Sequence, residues 1–469
     1  MSRFSIVALS LVAALAGCAS VGPDYVKPEI DVPAGWRDAP ADGTKAQAAE
    51  WWKVYDDPVL DTLIAEALAN NANLALAVAR VEEARAIVSV TAADQQPQVG
   101  ASAERRRTQF SQRAPLPVPP GTSSRTSDTR ASVDVSYEID LWGKLRNATK
   151  AARADLLATE AAQETVRVTL TADVAQGYFA LRSLDGQLAA TRRAVASRGE
   201  SLAMQKRRFE VGDISEFEYR QLEAELAAER AQVPPLEQQR AQQENALAVL
   251  LGRSPKAIYE SGFDAGSDSE DQTVGIAVPA GIPSDLLMRR PDLVQAEQSL
   301  IAANARIAVA RAAYFPSISL TGYLGSESVA LSDLFTGPAG IGQAAIALAQ
   351  PIYQGGRLEA QVKAANARER QALAQYQFAV QNAFREVRDA LVAQVKARER
   401  LDAERDRAAA LTIALRFARL RYENGLSSQL EVLDAERNLL AAEQNRVDAL
   451  RAQRAAIADL FKALGGVWS

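Results

Sequence analysis

The residues best placed to do chemistry are carboxylates that follow two glycines. Glu431 and Asp434 come after Gly425 and are three residues apart, a spacing that places both on one side of a helix. Glu218 follows Gly212 in the same way. Carboxylates held close together repel one another and favour hydrated cations. The alternative is that all three are solvated acids on helix surfaces.

Composition excludes several classes of protein. The chain has 469 residues, 48% hydrophobic and 24% charged, with a net charge of -5, so we expect no nucleic-acid partner. Histidine is absent and there is 1 cysteine, which argues against disulfides and against the usual zinc, haem and Cys/His catalytic sites. No nucleophile, metal or phosphate-loop arrangement is present, so we expect neither an enzyme nor a cofactor.

The N-terminus resembles a lipoprotein export signal. Arg3 precedes an apolar run, residues 4–16, which is too short for a stable transmembrane helix. The run leads into Leu15-Ala16-Gly17-Cys18, similar to the lipobox of bacterial lipoproteins. This resemblance implies cleavage before Cys18, acylation of that cysteine and, because Ala19 follows, export to the outer membrane. The alternative is an uncleaved signal with a chance cysteine.

Two very long helices are predicted, one from Lys144 to Val211 and one from Arg357 to Asn424. No Gly or Pro interrupts Arg357 to Asn424, and the Ala, Arg, Glu, Gln and Leu composition favours a helix of roughly 100 Å. One stripe along it is apolar: Leu373, Tyr376, Val380, Phe384, Val387, Leu391 and Val395. Such a helix must pack beside others of its kind.

The chain contains an internal repeat. RFEVGDISEFEY (208–219) resembles RYENGLSSQLEV (421–432), and the same offset pairs Gly143 with Gly356 and Gly252 with Gly465. Each copy reads helix, strand, loop, strand, very long helix, tight turn, helix. We therefore divide the chain into a signal peptide (1–17), an extended surface segment (18–60), a first repeat (61–260), an acidic linker (261–284) and a second repeat (285–469).

Each repeat contributes two predicted strands. Residues 131–141 alternate strictly between apolar and polar. The alternation in residues 341–352 is weaker, and Ala344 to Ala349 also allow a helix. Four strands cannot close a barrel, so several chains must contribute if the strands enter a membrane. In that case Val133 and Val135 face lipid and the lumen receives three acids, Asp134, Glu138 and Asp140. The alternative is a soluble antiparallel coiled-coil bundle with two hairpins exposed to water.

Nine motifs along the chain resemble the lipoprotein branch of the TolC-like outer-membrane efflux proteins. They are GPDYVKP (22–28), WWKVYDDPVLDTLI (51–64), SYEIDLWGKLRNA (136–148), NALAVLLGRSP (245–255), IPSDLLMRRPDLVQAE (282–297), AAYFPSISLTG (312–322), QPIYQGGRL (350–358), VLDAERNLL (432–440) and KALGGVW (462–468). The resemblance implies a mainly α fold with a small β part. It also implies a homotrimer whose chains each give four strands to one outer-membrane β-barrel, continued by an α-helical tunnel.

The implied function is a passive exit duct for small amphipathic compounds or drugs. Its implied partners are a periplasmic adaptor and an inner-membrane pump of the resistance-nodulation-division (RND) type. Two alternatives remain, a type I protein-secretion duct and a structural envelope lipoprotein that does not conduct. The lipobox and the 22–28 segment argue against the former.

The resemblance also implies that the Gly212 and Gly425 turns narrow to a closed periplasmic entrance. It assigns the gate to five residues: Glu431, Asp434, Glu218, Arg421 and Tyr422. The acids would line the constriction, while Arg421 and Tyr422 would tie one helical hairpin to its neighbour. Capping and packing at the tips is the alternative role. The family often places a basic residue after the glycine, where this chain has Leu426.

Overall fold

The computed structural model describes residues 21–31, 50–111, 113, 123–260, 263 and 290–466. The signal peptide, Cys18 and nearly all of the predicted linker lie outside the described residues. Within the described ranges the chain forms helices and one four-stranded antiparallel sheet.

The elements repeat in the predicted order. Those of the first copy are α1 (Pro58–Asn70), α2 (Ala72–Ala93), β1 (Gln98–Gln109), β2 (Arg125–Ile139), α3 (Lys144–Glu210), α4 (Glu216–Arg230), α5 (Val233–Leu250) and a short α6 (Pro255–Glu260). Those of the second copy are α7 (Pro291–Ala312), β3 (Ser317–Ser328), β4 (Gly340–Ala349), α8 (Arg357–Glu423) and α9 (Gln429–Ala463). The ambiguous residues Ala344 to Ala349 are therefore part of a strand, which ends at Ala349.

The two long helices and the repeat are confirmed. α3 and α8 each contain 67 residues. Glycines with positive φ occur at equivalent places in the two copies, in the pairs Gly143 and Gly356, Gly212 and Gly425, and Gly252 and Gly465. Of the apolar stripe on α8, Tyr376, Val380, Val387 and Leu391 are buried, whereas Val395 is exposed.

The sequence predicts one helix from Asp61 to about Asp94 and another that ends at Gly252 with a bend at Pro234-Pro235. Each is divided into two helices in the structure. The first is interrupted at Asn71, whose side-chain oxygen accepts from the Leu74 amide while its nitrogen donates to the Leu250 carbonyl. The second is interrupted before Pro234, because proline is favoured in the first turn of a helix and disfavoured inside one. No single described helix is long and apolar enough to cross a membrane; α1 and α2 meet that criterion only as a pair bent by 42°.

The described residues fall into two compact units. One contains the sheet and comprises Arg80–Glu160 and Gln295–Gln377 together with the segment that ends at Glu29. In this unit Lys27 and Tyr25 bond the carboxylate of Glu297 on α7, at 2.9 and 3.2 Å. This part of the extended segment therefore runs along a helix.

The other unit comprises Ile30–Ala79, Ala161–Val294 and Phe378–Ser469. Its core includes Trp51, although residues 18–60 were expected to lie on the surface. The Trp51 ring stacks on Phe461 with centroids 5.0 Å apart, and its Nε1 donates to Thr171. Large aromatic rings gain more from burial than from solvent contact, so the end of the segment enters the core.

Candidate functional site

The sheet has one apolar face. Its strands are ordered β1-β2-β3-β4, and its register places Val99 opposite Val135, Val133 opposite Leu324, and Leu320 opposite Ile346. All of these side chains except the half-buried Leu320 are exposed, with Leu324 at 74% and Ile346 at 77%. An isolated chain therefore leaves this apolar surface uncovered.

The opposite face of the sheet is polar and internally hydrogen-bonded. Asp134 accepts hydrogen bonds from Ser102 at 3.0 Å and Ser132 at 3.2 Å. Further along the same face Arg130 lies 4.0 Å from Glu327 and 4.1 Å from the centre of the Tyr323 ring. The two faces thus suit an apolar and an aqueous environment, as in a barrel wall.

The predicted lumen acids fall in three different settings. Asp134 and Glu138 lie on the polar face, and Glu138 pairs with Lys144 Nζ at 3.0 Å. Asp140 lies one residue beyond β2, and its carboxylate accepts from the Leu145 and Arg146 amides at the start of α3. The apolar–polar alternation in the sequence continues at Asp140, beyond the end of β2. An acidic residue is favoured there for another reason, because it caps the N-terminus of the next helix. Asp140 is therefore a helix-capping residue, and its expected place in a strand is corrected.

The sheet of one chain has two free edges. Within the described residues β1 pairs only with β2, and β4 only with β3. Each edge presents unpaired backbone groups that hydrocarbon does not tolerate.

The two glycine turns have the same backbone geometry. Gly212 has φ 79° and Gly425 has φ 70°. In the first turn the Asp213 amide donates to the Arg208 carbonyl, and in the second the Leu426 amide donates to the Arg421 carbonyl, both at 2.8 Å. This is the hydrogen bond that closes a helix at a left-handed glycine.

The predicted gate acids already have local partners. Glu218 completes a capping box with Ser215, because its carboxylate accepts from the Ser215 amide at 2.9 Å. Glu431 lies 3.8 Å from Arg421, and Asp434 pairs with Arg437 at 2.5 Å. The side chains of Glu431 and Asp434 are 51% and 54% exposed, so both carboxylates are in contact with water.

Tyr422 joins the two repeats near their turns. Its hydroxyl accepts from Gln205 Nε2 at 2.9 Å and from Arg208 Nη1 at 2.8 Å, both on α3. Arg208 also donates from Nε to Asp213 at 2.7 Å, and this hydrogen bond is the largest cause that raises the pKa of Arg208. Arg421, by contrast, contacts Leu426 and Glu431 of its own hairpin.

Sequence reasoning did not find Gln205 or Arg208 as partners of Tyr422. Comparing the two copies of the repeat gives a signal for the contact. Tyr422 in the second copy is equivalent to Phe209 in the first. Only the second copy therefore has a hydroxyl that can accept a hydrogen bond.

A buried charge cluster in the same unit was also missed. The Arg198 guanidinium lies 3.3 Å from Glu225, 3.0 Å from Glu229 and 3.5 Å from Glu436. Burial raises the pKa of Glu229, and Arg198 opposes that rise. Because Glu436 also pairs with Arg419 at 2.8 Å, the cluster links α3, α4, α8 and α9.

Comparison with known proteins agrees with this geometry. Residues 63–253 and 282–466 match the family model "Outer membrane efflux protein". The chain is 34% identical over 472 residues to the probable outer membrane lipoprotein SilC of Salmonella typhimurium, covering 100% of both chains. It is equally similar, 34% over 472 residues and 100% of both chains, to the cation efflux system protein CusC of Escherichia coli.

The fold resembles that of a solved channel. The Campylobacter jejuni CmeC outer membrane channel superposes with a TM-score of 0.91 and 28% identity, covering 96% of each chain. The chain belongs to the outer membrane efflux protein family and is an outer-membrane protein.

Proposed function

We propose that this chain is the outer-membrane exit duct of a tripartite RND-type efflux system. The observation that carries the proposal is the sheet with one apolar face, one polar face and two free edges. Pairing β1 of one copy with β4 of the next removes both edges and places the polar face around a lumen. A homotrimer, with four strands from each chain, is the assembly that we propose.

The long helices supply the second part of the duct. α3 and α8 contain 67 residues each, so each extends roughly 100 Å. We assign them to an α-helical tunnel in the periplasm that reaches a periplasmic adaptor and an inner-membrane RND pump. The duct conducts passively, and the pump supplies the energy.

We propose that the gate lies at the Gly212 and Gly425 turns. Tyr422 holds the two repeats of one chain together there, and Glu431 and Asp434 present half-exposed carboxylates beside it. Glu218 contributes mainly to helix capping. In a trimer three copies of each acid meet near one axis, where their charges favour cations.

Two classes of cargo follow from these observations. Small amphipathic compounds or drugs are the first, because the polar wall carries both charged groups and the Tyr323 ring. Cations are the second, because CusC is a cation efflux system protein and the carboxylates of Glu431 and Asp434 are half-exposed near the Gly425 turn. Covalent acylation of Cys18 is proposed to aid targeting to the outer membrane, and SilC is itself described as a lipoprotein.

Planar-bilayer recording of the purified full-length chain tests the proposal. We expect discrete single-channel steps, with cation selectivity that falls in the variant Glu431→Gln/Asp434→Asn. The matched control is Asp406→Asn, which removes an exposed acid from α8 away from the turns and should leave selectivity unchanged. A structural envelope lipoprotein gives no steps at all, and selectivity that is unaltered in the double variant contradicts the gate assignment.

A further inference from the structure

The apolar face of the sheet ends in a group of arginines. Across the four paired strands this face carries no Asp or Glu, and its charged residues are three: Arg105, Arg107 and Arg125. All three lie at one end, where β1 and β2 approach their connecting loop. Uncharged polar residues such as Ser127 and Thr129 lie beside them, and the apolar residues occupy the other end of the face.

No acid neutralises these arginines within the described sheet. All three are exposed, and within the described residues the Arg125 side chain donates only to the uncharged Gln109, at 3.3 Å. The nearby acids Glu104 and Asp128 lie on the polar face, because strand alternation turns them the other way. Glu104 is bonded there to Arg106 at 3.0 Å.

The spacing of the arginines suits a ligand with more than one negative charge. Arg105 and Arg107 are two residues apart on one strand, about 7 Å. Arg107 lies opposite Ser127 and is thus diagonal to Arg125, at about 7 to 8 Å. Three cations at this spacing repel one another, and a bound anion would offset that repulsion. Guanidinium groups bind phosphate through paired hydrogen bonds.

The neighbouring apolar surface decides which phosphate compound fits. From Ile139 to Ala131 the apolar side of β2 extends about 27 Å along the strand. At the strand tilt of outer-membrane barrels this length covers roughly 20 Å of height, most of their apolar band of roughly 25 Å. A phosphate bound at the arginines therefore lies just beyond this band. Free phosphate would leave the band uncovered, whereas an acylated lipid covers it.

We propose that Arg105, Arg107 and Arg125 form a binding surface for the phosphate groups of an acylated, phosphorylated lipid in the outer leaflet. The proposal rests on the proposed function, since it requires the apolar face to lie in the outer membrane. It assigns to this end of the sheet the role of fixing the depth of the barrel in the membrane.

Native mass spectrometry of the full-length protein in detergent tests this surface. Diphosphorylated lipid A and the same lipid without phosphates serve as probes, and we expect the wild type to bind the former about tenfold more tightly. The variant Arg105→Gln/Arg107→Gln/Arg125→Gln should lose that preference. The charge-preserving variant with lysine at the same three positions should keep most of it, which separates loss of charge from loss of folding.

The matched control is Arg106→Gln/Arg130→Gln, which removes arginines from the polar face of the same strands and should keep the lipid preference. Equal binding of both lipids by the wild type, or an equal loss in the control, overturns the proposal. Displacement of the lipid by millimolar inorganic phosphate overturns the choice of lipid as ligand. Conductance of the same wild-type sample in a neutral bilayer distinguishes failure of the lipid-binding proposal from failure of the proposed function. A channel that conducts but shows no lipid preference refutes only the lipid-binding proposal. A protein that does not conduct refutes the proposed function.

Discussion

Replacing Tyr422 with phenylalanine removes the one oxygen that accepts from both Gln205 and Arg208. A neutral hydrogen bond contributes about 1 kcal/mol and one to a charged group about 1.5 to 3 kcal/mol. The contact is partly exposed, and Arg208 keeps its bond to Asp213, so the net loss is smaller than the sum. We expect about 1 to 2 kcal/mol, which corresponds to a factor of about 5 to 30 in a two-state equilibrium.

Single-channel recording measures this equilibrium as the ratio of open to closed time. If the Tyr422 contact holds the entrance closed, Tyr422→Phe should raise that ratio about 5- to 30-fold. Tyr219→Phe is the matched control: its ring stacks on Phe209 at 5.2 Å, but its hydroxyl makes no hydrogen bond within the described residues. An unchanged ratio in Tyr422→Phe, or an equal rise in the control, refutes the role of the contact.

Three further predictions concern stability and processing. Gly252 and Gly425 both have φ +70°, but a Cβ on Gly252 would lie 2.1 Å from the Asn70 carbonyl oxygen and one on Gly425 would meet nothing. Gly425→Ala should therefore cost about 1 to 2 kcal/mol and Gly252→Ala clearly more, as a lower melting temperature; equal losses contradict the packing. Burial raises the pKa of Glu229, so the folded state binds its proton more tightly and its contribution to stability falls as pH rises above 4.5. As the pH rises above 4.5, the melting temperature of Glu229→Gln minus that of the wild type should therefore increase. A difference in melting temperature that does not change with pH contradicts the raised pKa. Cys18→Ser should abolish incorporation of labelled palmitate, whereas retained label places the acyl group elsewhere.

Much of the fold is readable from the sequence because its rules are local. The absence of Gly and Pro predicts α8, and glycines at equivalent positions predict the turns that both copies share. Period-two alternation predicts β2 and identifies Asp134 as a residue of the polar face.

The remaining features depend on residues distant in sequence. Tyr422 meets Arg208 only after α3 and α8 have packed, and Trp51 becomes a core residue only when α9 brings Phe461 beside it. Asp140 shows a different limit. It continues an alternating pattern, but the helix that follows uses its carboxylate as a cap.

Thiol modification of an open channel tests the central claim most directly, that the polar face of the sheet lines a conducting lumen. The sequence contains 1 cysteine, which is expected to be acylated, so Asp134→Cys and Val135→Cys each introduce one free thiol per chain. A charged, membrane-impermeant thiol reagent should lower single-channel conductance stepwise for Asp134→Cys and leave Val135→Cys unchanged. Block at position 135 alone, or no conductance from either protein, would contradict the account.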